Sequence, residues 1–218
     1  MHFPDIQLFE CLLFKYIFKY KIILSFHGNE VERLISNKKW SIKNLMYLKI
    51  IKISSFITGC SNFILKDLKQ YFPKVSSEKF IPVYNGVDNY ILNQPLSINK
   101  ESYFFSAARF IPKKGIDLLF ELSSLFNHKK VFLAGGKEKN ILKLDLTAPK
   151  NVEILGIIDY KSISNYLSNS YLTLITSKLE PYGIFVAEAI CSGSPLVSSN
   201  VGGIPEIISL AKKKLTIN

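Results

Sequence analysis

Two glutamates, Glu180 and Glu188, are separated by seven residues and carry the chemistry that this sequence predicts. On a helix, the residues three and four positions from Glu188 are mostly apolar, so its carboxylate would face a buried environment. Burying a carboxylate is costly unless hydrogen-bond donors satisfy it. A solvated surface position is the ordinary alternative for a helical glutamate, and the apolar neighbours argue against it here. We therefore expect Glu188 to accept two hydroxyl donors, as a ribose would supply.

Between the two glutamates, the sequence predicts the start of a helix and an anion site at that start. Pro181 is expected in the first turn, where no backbone donor is lost, and the helix should run from about residue 183 to residue 191. Gly183 has no side chain, so an anion could approach the N–H groups of Gly183 and Ile184 at the positive helix end. The segment therefore predicts a diphosphate at the helix start, with its ribose one turn further on at Glu188.

Short apolar, β-rich runs alternate with helical patterns along the chain and would position these side chains. Such alternation indicates an α/β fold with parallel sheets, in which ligands bind at the carboxyl ends of the strands. Besides the helix at 183–191, helices are predicted over residues 62–70 and 160–168. The predicted strands cover residues 21–26, 53–58, 80–84, 103–108, 131–134, 151–156, 171–175 and 196–199.

Three further candidates stand at the ends of predicted strands: Arg109, Lys114 and His27. Arg109 and Lys114 follow the strand at 103–108, where together they could hold a diphosphate, the arginine in fork geometry and the lysine as a point charge. Ordinary surface charge is the alternative for such a pair. A lone histidine at the end of a strand, as at His27, is by pattern alone more often structural than catalytic.

Four motifs fall in register with a known family. They are EPYG at 180–183, EA at 188–189, GSPLV at 193–197 and GGIPE at 202–206. Together they resemble the donor site of the glycogen-synthase-like glycosyltransferases, family 4 in the usual classification. Its members are retaining, nucleotide-sugar-dependent enzymes of the GT-B fold, and the resemblance extends over nearly the whole chain.

The resemblance implies roles for the candidate residues. Glu180 and His27 would be catalytic residues that hold the transferred sugar, with His27 on the acceptor-side domain. The donor would bind to Arg109, Lys114, Glu180, Gly183, Ile184 and Glu188.

The implied reaction moves a hexosyl group from a nucleoside-diphosphate sugar to a hydroxyl group of a glycan or lipid-linked acceptor, with retention. In such enzymes the leaving phosphate is thought to assist deprotonation of the acceptor. No Asp-x-Asp motif occurs in the sequence, so no divalent metal is expected, and no cofactor is expected beside the nucleotide-sugar substrate. Arg109, Lys114 and the helix dipole would stabilise the leaving group.

The GT-B fold implies two Rossmann-like domains. We expect an acceptor-side domain over residues 1–88, a linker without periodicity over residues 89–100, and a donor-binding domain over residues 101–218. Near the end of the first domain, Asn85 and Gly86 predict a tight turn with a positive φ angle. At 218 residues the chain is short for two complete domains. The resemblance implies that both are incomplete, with truncation at both ends, because family members begin with a further strand and a glycine-rich loop and continue past the position of Glu206.

Two alternatives to an active transferase stay open. One is a truncated, catalytically weak or inactive remnant that still binds a nucleotide sugar. The other is a different GT-B enzyme, such as a nucleotide-sugar epimerase or a phosphorylase. An epimerase would need further acid–base groups, and the chain has only 3 histidines. A phosphorylase would need a lysine-bound pyridoxal phosphate, for which no motif is visible.

The formal charge of +11 admits nucleic acid, an anionic membrane or an anionic substrate as partner. The basic residues are scattered and no nucleic-acid motif accompanies them, so we expect no nucleic-acid partner. A loose group of lysines over residues 38–52 indicates either a solvated helix face or a contact with anionic lipid head groups or a lipid-linked acceptor.

Cysteine usage and the N-terminal segment bear on localisation. The 3 cysteines have no metal-ligand spacing and indicate reduced thiols in a cytoplasmic protein. The apolar N-terminal segment is interrupted by charges, which predicts a buried or amphipathic helix before the first strand rather than a signal or a membrane span. We therefore expect a cytoplasmic protein, with peripheral contact at the inner face of the membrane as an open option.

Overall fold

A computed structural model describes residues 17, 19–36, 42–93, 97, 100–136 and 147–215 of the chain. The chain divides into two compact units, Met1–Asn85 and Gly86–Asn218. Most of the helix predicted before the first strand, and residues 94–96, 98 and 99 of the predicted linker, lie outside the described residues.

The first unit contains a parallel sheet of three strands in the order β1-β2-β3. The strands are β1 (Ile23–Phe26), β2 (Phe56–Gly59) and β3 (Phe80–Pro82). Helices α1 (Asn29–Ser36) and α2 (Ile42–Ile53) connect β1 to β2. Helix α3 (Asn62–Tyr71) and a 3₁₀ turn (Ser77–Lys79) connect β2 to β3. Such crossovers are required because parallel neighbours cannot be joined by a tight hairpin.

The two faces of this sheet differ in their burial. Leu24, Phe26 and Ile57 are fully buried on one face. Side chains alternate along a strand, so their chain neighbours lie on the opposite face. Apolar side chains on that opposite face are exposed, and we call them the open face: Ile23, Phe56, Ile81 and Val83.

The second unit contains a parallel sheet of five strands in the order β6-β5-β4-β7-β8. The strands are β4 (Glu101–Ala107), β5 (Lys130–Ala134), β6 (Val152–Gly156), β7 (Ser170–Ile175) and β8 (Leu196–Ser198). The helices are α4 (Asn89–Leu92), α5 (Ile116–Leu125), α6 (Tyr160–Asn169), α7 (Ile184–Cys191) and α8 (Ile204–Leu215), with a 3₁₀ turn at Pro112–Lys114.

Apolar side chains cover both faces of the five-stranded sheet. Phe104 of β4 packs in a cluster with residues of α5, including Leu119. Phe105, the next residue, packs on the other face in a cluster with Leu167 of α6 and Ala189 of α7. A strand that is buried on both faces has a continuous apolar sequence, which explains why the β4 segment lacks alternation.

Polar side chains fix the starts of the helices that flank these sheets. Ser61 accepts a hydrogen bond from the N–H of Ile64 at the start of α3. Asp159 accepts one from the N–H of Ser162 at the start of α6, over 2.6 Å. Each bond satisfies one of the N–H groups that the first helical turn leaves without an intrahelical partner.

Two predicted element boundaries are wrong. Ile53 ends α2 rather than starting a strand, and β2 begins only at Phe56. A short apolar run does not distinguish the end of a buried helix from a strand. Pro181 lies before α7 rather than in its first turn, because the helix begins at Ile184 with Gly183 as its N-cap.

The residues around the boundary of the two units also differ from the prediction. Asn85 and Gly86 form no tight turn, and Gly86 is not among the glycines with positive φ. Extended pairing continues just past β3, since the N–H of Val83 donates to the carbonyl of Gly59 over 2.9 Å. Where a linker was expected, residues 89–92 form α4, and Ile91 is fully buried in a cluster of the second unit.

Among the residues that the structure describes, no helix is both long enough and apolar enough to cross a membrane.

Candidate functional site

The strand order of the second unit creates a ligand position between β4 and β7. From β4 the chain proceeds outward to β5 and β6, and it then returns to place β7 and β8 on the other side of β4. In an open parallel sheet, the connections diverge at such a switch point and leave a crevice at the carboxyl ends of the two strands. The residues that follow β4 and β7 are therefore the first candidates for a binding site.

An open pocket lies at this switch point. It is lined by residues after β4, by residues after β7 and by the start of α7, including Ser106, Ala108, Lys114, Ser177, Glu180 and Gly183. Three of the predicted donor-binding residues, Lys114, Glu180 and Gly183, thus share one pocket.

An ion pair between Lys114 and Glu180 occupies the polar wall of this pocket. The Lys114 ammonium contacts one carboxylate oxygen of Glu180, and the hydroxyl of Ser177 donates to the same oxygen over 3.3 Å. The two side chains are 21 and 14 % exposed, so the pair is more shielded from water than a surface ion pair. Lys114 and Glu180 therefore compensate each other's charge at this wall of the pocket.

Two glycines let neighbouring loops approach the segment that carries Glu180. A Cβ on Gly115 would lie 1.9 Å from the carbonyl oxygen of Thr176, and one on Gly202 would lie 1.9 Å from that of Glu180. Both glycines have positive φ, at 63 and 58°. The N–H of Gly203 donates to the carbonyl of Glu180 over 2.9 Å, so this approach includes a backbone hydrogen bond.

The other side of the same segment is attached to the loop after β4. The N–H groups of Lys178 and Leu179 both donate to the carbonyl of Lys113, over 2.9 and 3.2 Å. The Lys178 side chain forms an ion pair with Asp117 in the first turn of α5. Backbone contacts from two directions therefore fix the position of Glu180.

Helix α7 points its start into the pocket. Gly183 is the N-cap and is buried, whereas Ile184, the first helical residue, is 46 % exposed. The first N–H groups of a helix have no intrahelical acceptor and carry a partial positive charge. This end of α7 is suited to an anion that enters the pocket.

Glu188 lies one turn further along α7 and is buried, at 7 % exposure. The hydroxyl of Tyr160 donates to its Oε1 atom over 2.8 Å. Burial raises the pKa of the Glu188 carboxyl, the bond from Tyr160 lowers that pKa, and the nearby charge of Asp88 raises it. Glu188 is not among the residues that line the pocket.

The remaining predicted residues, Arg109 and His27, lie at strand ends. Arg109 is exposed at the carboxyl end of β4, at the sheet edge that carries the pocket. His27 belongs to the first unit and follows β1. The N–H groups of His27 and Gly28 donate to a carboxylate oxygen of Glu30 in the first turn of α1, over 3.3 and 3.1 Å, which fixes the backbone at the strand end.

Sequence reasoning missed Tyr160 and Ser177 as neighbours of the two glutamates. Tyr160 is 28 residues away from Glu188 in the chain, and it was predicted only as the start of a helix. Ser177 follows β7 and could have been identified by its place at the strand end, as Arg109 was. The partner of Lys114 was also unforeseen, because the sequence contains many acidic residues and does not show which one the fold brings near.

No group of three or more histidine, cysteine, aspartate or glutamate side chains that could hold a metal ion occurs in the described part of the chain.

Comparison with known families decides what class of protein carries this pocket. Residues 89–218, more than half of the chain, match the sequence model of the family described as Glycosyl transferases group 1. The chain belongs to this family. The matched range includes the pocket, Arg109, Glu188 and Tyr160.

Curated relatives of this family member match most of its length. An uncharacterised glycosyltransferase from Methanocaldococcus jannaschii is 25 % identical over 193 residues, which is 85 % of this chain and 51 % of the relative. An uncharacterised 42.6 kDa protein in the cps region of Klebsiella pneumoniae is 31 % identical and covers 83 % of this chain and 47 % of the relative. The chain thus spans about half the length of these relatives.

Solved structures share its fold. Sucrose-phosphate synthase from Thermosynechococcus elongatus superposes with a TM-score of 0.70 at 16 % identity, over 95 % of this chain and 61 % of that one. The Anabaena protein HepE, solved with UDP-glucose, superposes with a TM-score of 0.67 at 18 % identity, over 96 % of this chain and 66 % of that one. The fold is therefore that of the GT-B glycosyltransferases, α/β with parallel sheets, as the sequence predicts.

Proposed function

We propose that this glycosyltransferase chain binds a nucleoside-diphosphate sugar in the switch-point pocket and transfers its hexosyl group, with retention, to a hydroxyl group of a glycan or lipid-linked acceptor. One observation carries the proposal: Lys114, Glu180 and the start of α7 share a single pocket, with a buried carboxylate on the same helix. HepE, a structural relative, was solved with UDP-glucose, which supports the same donor class here.

The diphosphate would lie against the first N–H groups of α7, where the helix dipole favours a negative charge. Arg109 and Lys114 would add charge-assisted hydrogen bonds from the loop after β4. When Lys114 turns to the phosphate, Glu180 is released from its ion pair and becomes available to accept hydrogen bonds from the sugar hydroxyls.

Transfer requires stabilisation of the negative charge that develops on the leaving diphosphate. Once the donor has bound and Lys114 has turned to the phosphate, the cations and the helix dipole already face the diphosphate, so they would stabilise that charge without further reorganisation. We propose that no divalent metal is needed, that the leaving phosphate assists deprotonation of the acceptor, and that Glu180 holds the transferred sugar. Glu188 would accept hydrogen bonds from the ribose.

Calorimetric titration with UDP, GDP and ADP tests the donor site. The wild-type chain should bind one of them with or without EDTA. Arg109→Ala should weaken that binding about ten- to a hundredfold, because a hydrogen bond to a charged group contributes roughly 1.5–3 kcal/mol. Arg109 is preferable to Lys114 as the target, since removing Lys114 would also leave Glu180 without its ion-pair partner.

Lys150→Ala provides the matched control, because it removes one positive charge before the amino end of β6, at the opposite sheet edge. An equal loss of affinity in both variants would show that Arg109→Ala weakens binding only by lowering the net charge of the chain. If none of the three nucleotides binds, the proposed function is contradicted. If binding strictly requires Mn²⁺, the metal-free mechanism is contradicted.

A further inference from the structure

Tyr160 is the side chain that holds the buried carboxylate of α7. It is the first residue of α6, and its hydroxyl donates to Oε1 of Glu188 over 2.8 Å. Glu188 is 7 % exposed, so its carboxylate has lost most of its hydrogen bonds from water. The Tyr160 hydroxyl replaces one of them.

The Tyr160 hydroxyl is itself held in place from a third element. Burial raises the pKa of the Tyr160 phenol, and a backbone hydrogen bond from Asp88 opposes that rise. Asp88 is the N-cap of α4, where its side chain accepts from the N–H of Tyr90 over 2.7 Å. The phenol therefore lies between the backbone of Asp88 and the Glu188 carboxylate.

A carboxylate has about four lone-pair positions on its two oxygens. Tyr160 uses one of those on Oε1 and thereby fixes the rotation of the carboxylate, which leaves the second oxygen and one further position for other donors. A ribose presents two adjacent hydroxyl groups, which need two acceptor positions in a fixed orientation.

We propose that Tyr160 is a positioning residue for ribose recognition, holding Glu188 so that its remaining lone pairs accept the 2′- and 3′-hydroxyl groups of the donor nucleotide. The inference rests on the proposed function, because it requires a nucleotide in the site. It goes beyond that function by assigning the ribose selectivity to a tyrosine–glutamate pair.

Tyr160→Phe tests the inference, since it removes the donor and keeps the ring. Affinity is measured by calorimetry for the nucleoside diphosphate that the wild-type chain binds, among UDP, GDP and ADP, and for its 2′,3′-dideoxy form. The variant should bind the ribonucleotide about tenfold more weakly, while its affinity for the dideoxy form should stay unchanged. The ratio of the two affinities should therefore collapse, because the dideoxy ligand makes no use of the oriented carboxylate.

If the role of Tyr160 is purely structural, Tyr160→Phe should lower the affinity for both ligands by the same factor. That result would overturn the inference while leaving the proposed function intact. Tyr171→Phe is the matched control, because it removes an exposed phenol hydroxyl at the start of β7, at the other end of that strand from the pocket. It should leave both affinities unchanged.

Glu188→Gln and the double variant complete the test. If Tyr160 acts through Glu188, Tyr160→Phe should change the affinity ratio little once Glu188 has been replaced. Additive effects of the two substitutions would show independent action and would overturn the inference. Failure of the wild-type chain to bind any of the three nucleotides would overturn the proposed function and this inference with it.

Discussion

Glu188 combines two demands that oppose each other. Its carboxylate is buried among apolar neighbours on α7, and its pKa is raised by that burial even though Tyr160 donates to it. The folded chain therefore holds the Glu188 proton more tightly than the unfolded chain does. Ionisation of the Glu188 carboxyl therefore lowers the stability of the fold, although a ribose ligand would need that carboxyl ionised.

The free energy of unfolding should therefore depend on pH through the ionisation of Glu188. The stabilising contribution of Glu188 is fully present below the ordinary glutamate pKa of 4.5 and is lost as pH rises through the raised pKa of the folded state. Glu188→Gln removes that loss, so its melting temperature should exceed that of the wild-type chain increasingly from acidic to neutral pH. Each kcal/mol gained corresponds to about 2–4 °C for a chain of this size.

Thermal unfolding followed by circular dichroism across that pH range provides the measurement. Glu121→Gln, at an exposed position of α5, is the matched control and should follow the wild-type curve. A Glu188→Gln variant that parallels the wild-type curve at every pH would mean that burial does not affect this carboxyl.

At the residue scale, the sequence predicts positions better than partners. The apolar residues around Glu188 in the helix predict its burial, and the structure confirms that burial. Neither Tyr160 nor the pairing of Lys114 with Glu180 could be predicted, because these contacts join residues 28 and 66 positions apart. Periodicity describes the environment of a side chain within its own element, whereas such contacts depend on how elements pack.

The segment between β7 and α7 holds Glu180 through backbone contacts rather than regular structure. Gly202 lies directly against the Glu180 carbonyl and has a φ of 58°. Any side chain there would both clash with the carbonyl oxygen and adopt a disfavoured backbone conformation. The glycines of the GGIPE motif are therefore explained by the close approach of two loops around the pocket.

Gly202→Ala should consequently lower both stability and nucleotide affinity. The left-handed conformation costs a non-glycine residue on the order of 1 kcal/mol or more, and relief of the clash must displace the Glu180 backbone. We expect a lower free energy of unfolding in urea and weaker nucleotide binding by calorimetry. The affinity loss should appear even at temperatures where the variant is fully folded.

Gly86→Ala is a suitable comparison for Gly202→Ala. No atom lies within 4 Å of a Cβ at Gly86, and its φ is not in the left-handed region. This variant should keep both stability and affinity. If Gly202→Ala retains wild-type affinity, the position of the Glu180 segment does not depend on the contact with Gly202.

At the element scale, the sequence predicts the type and order of the elements, and their boundaries are less well predicted. Within the described residues, every predicted strand corresponds to an observed one, because apolar β-rich runs between turn residues recur there. The errors at Ile53 and Pro181 concern where a helix ends or begins. The missing turn at Asn85 and Gly86 arises because an Asn-Gly pair favours a tight turn only where the chain must reverse. Here the chain continues extended past β3.

At the scale of the whole molecule, the two units differ in how their sheets are covered. The five-stranded sheet has apolar clusters on both faces, which is typical of parallel sheets. The three-stranded sheet has its open face, where Ile23 and Phe56 pair in register and are 52 and 44 % exposed. The sequence does not reveal this difference, since apolar strand residues are expected to be buried on either face.

The open face should bind an apolar dye in the native chain. Contiguous exposed apolar side chains offer a surface for 8-anilinonaphthalene-1-sulfonate, whereas scattered single side chains do not. Replacing Ile23 and Phe56 together by threonine should reduce the fluorescence of the bound dye under native conditions. Threonine favours strands, and both positions are partly exposed, so the free energy of unfolding should change by no more than about 1 kcal/mol.

Replacing Leu118 and Leu125 together by glutamine gives the matched control for this experiment. Both leucines are exposed on α5, at 41 and 74 %, and lie outside the open face. Removing them takes away a similar amount of apolar side chain without changing the three-stranded sheet, so the dye fluorescence should stay near that of the wild-type chain. Equal reductions in the two double variants would show general surface binding. An unchanged signal after replacement of Ile23 and Phe56 would show that the open face is covered in solution.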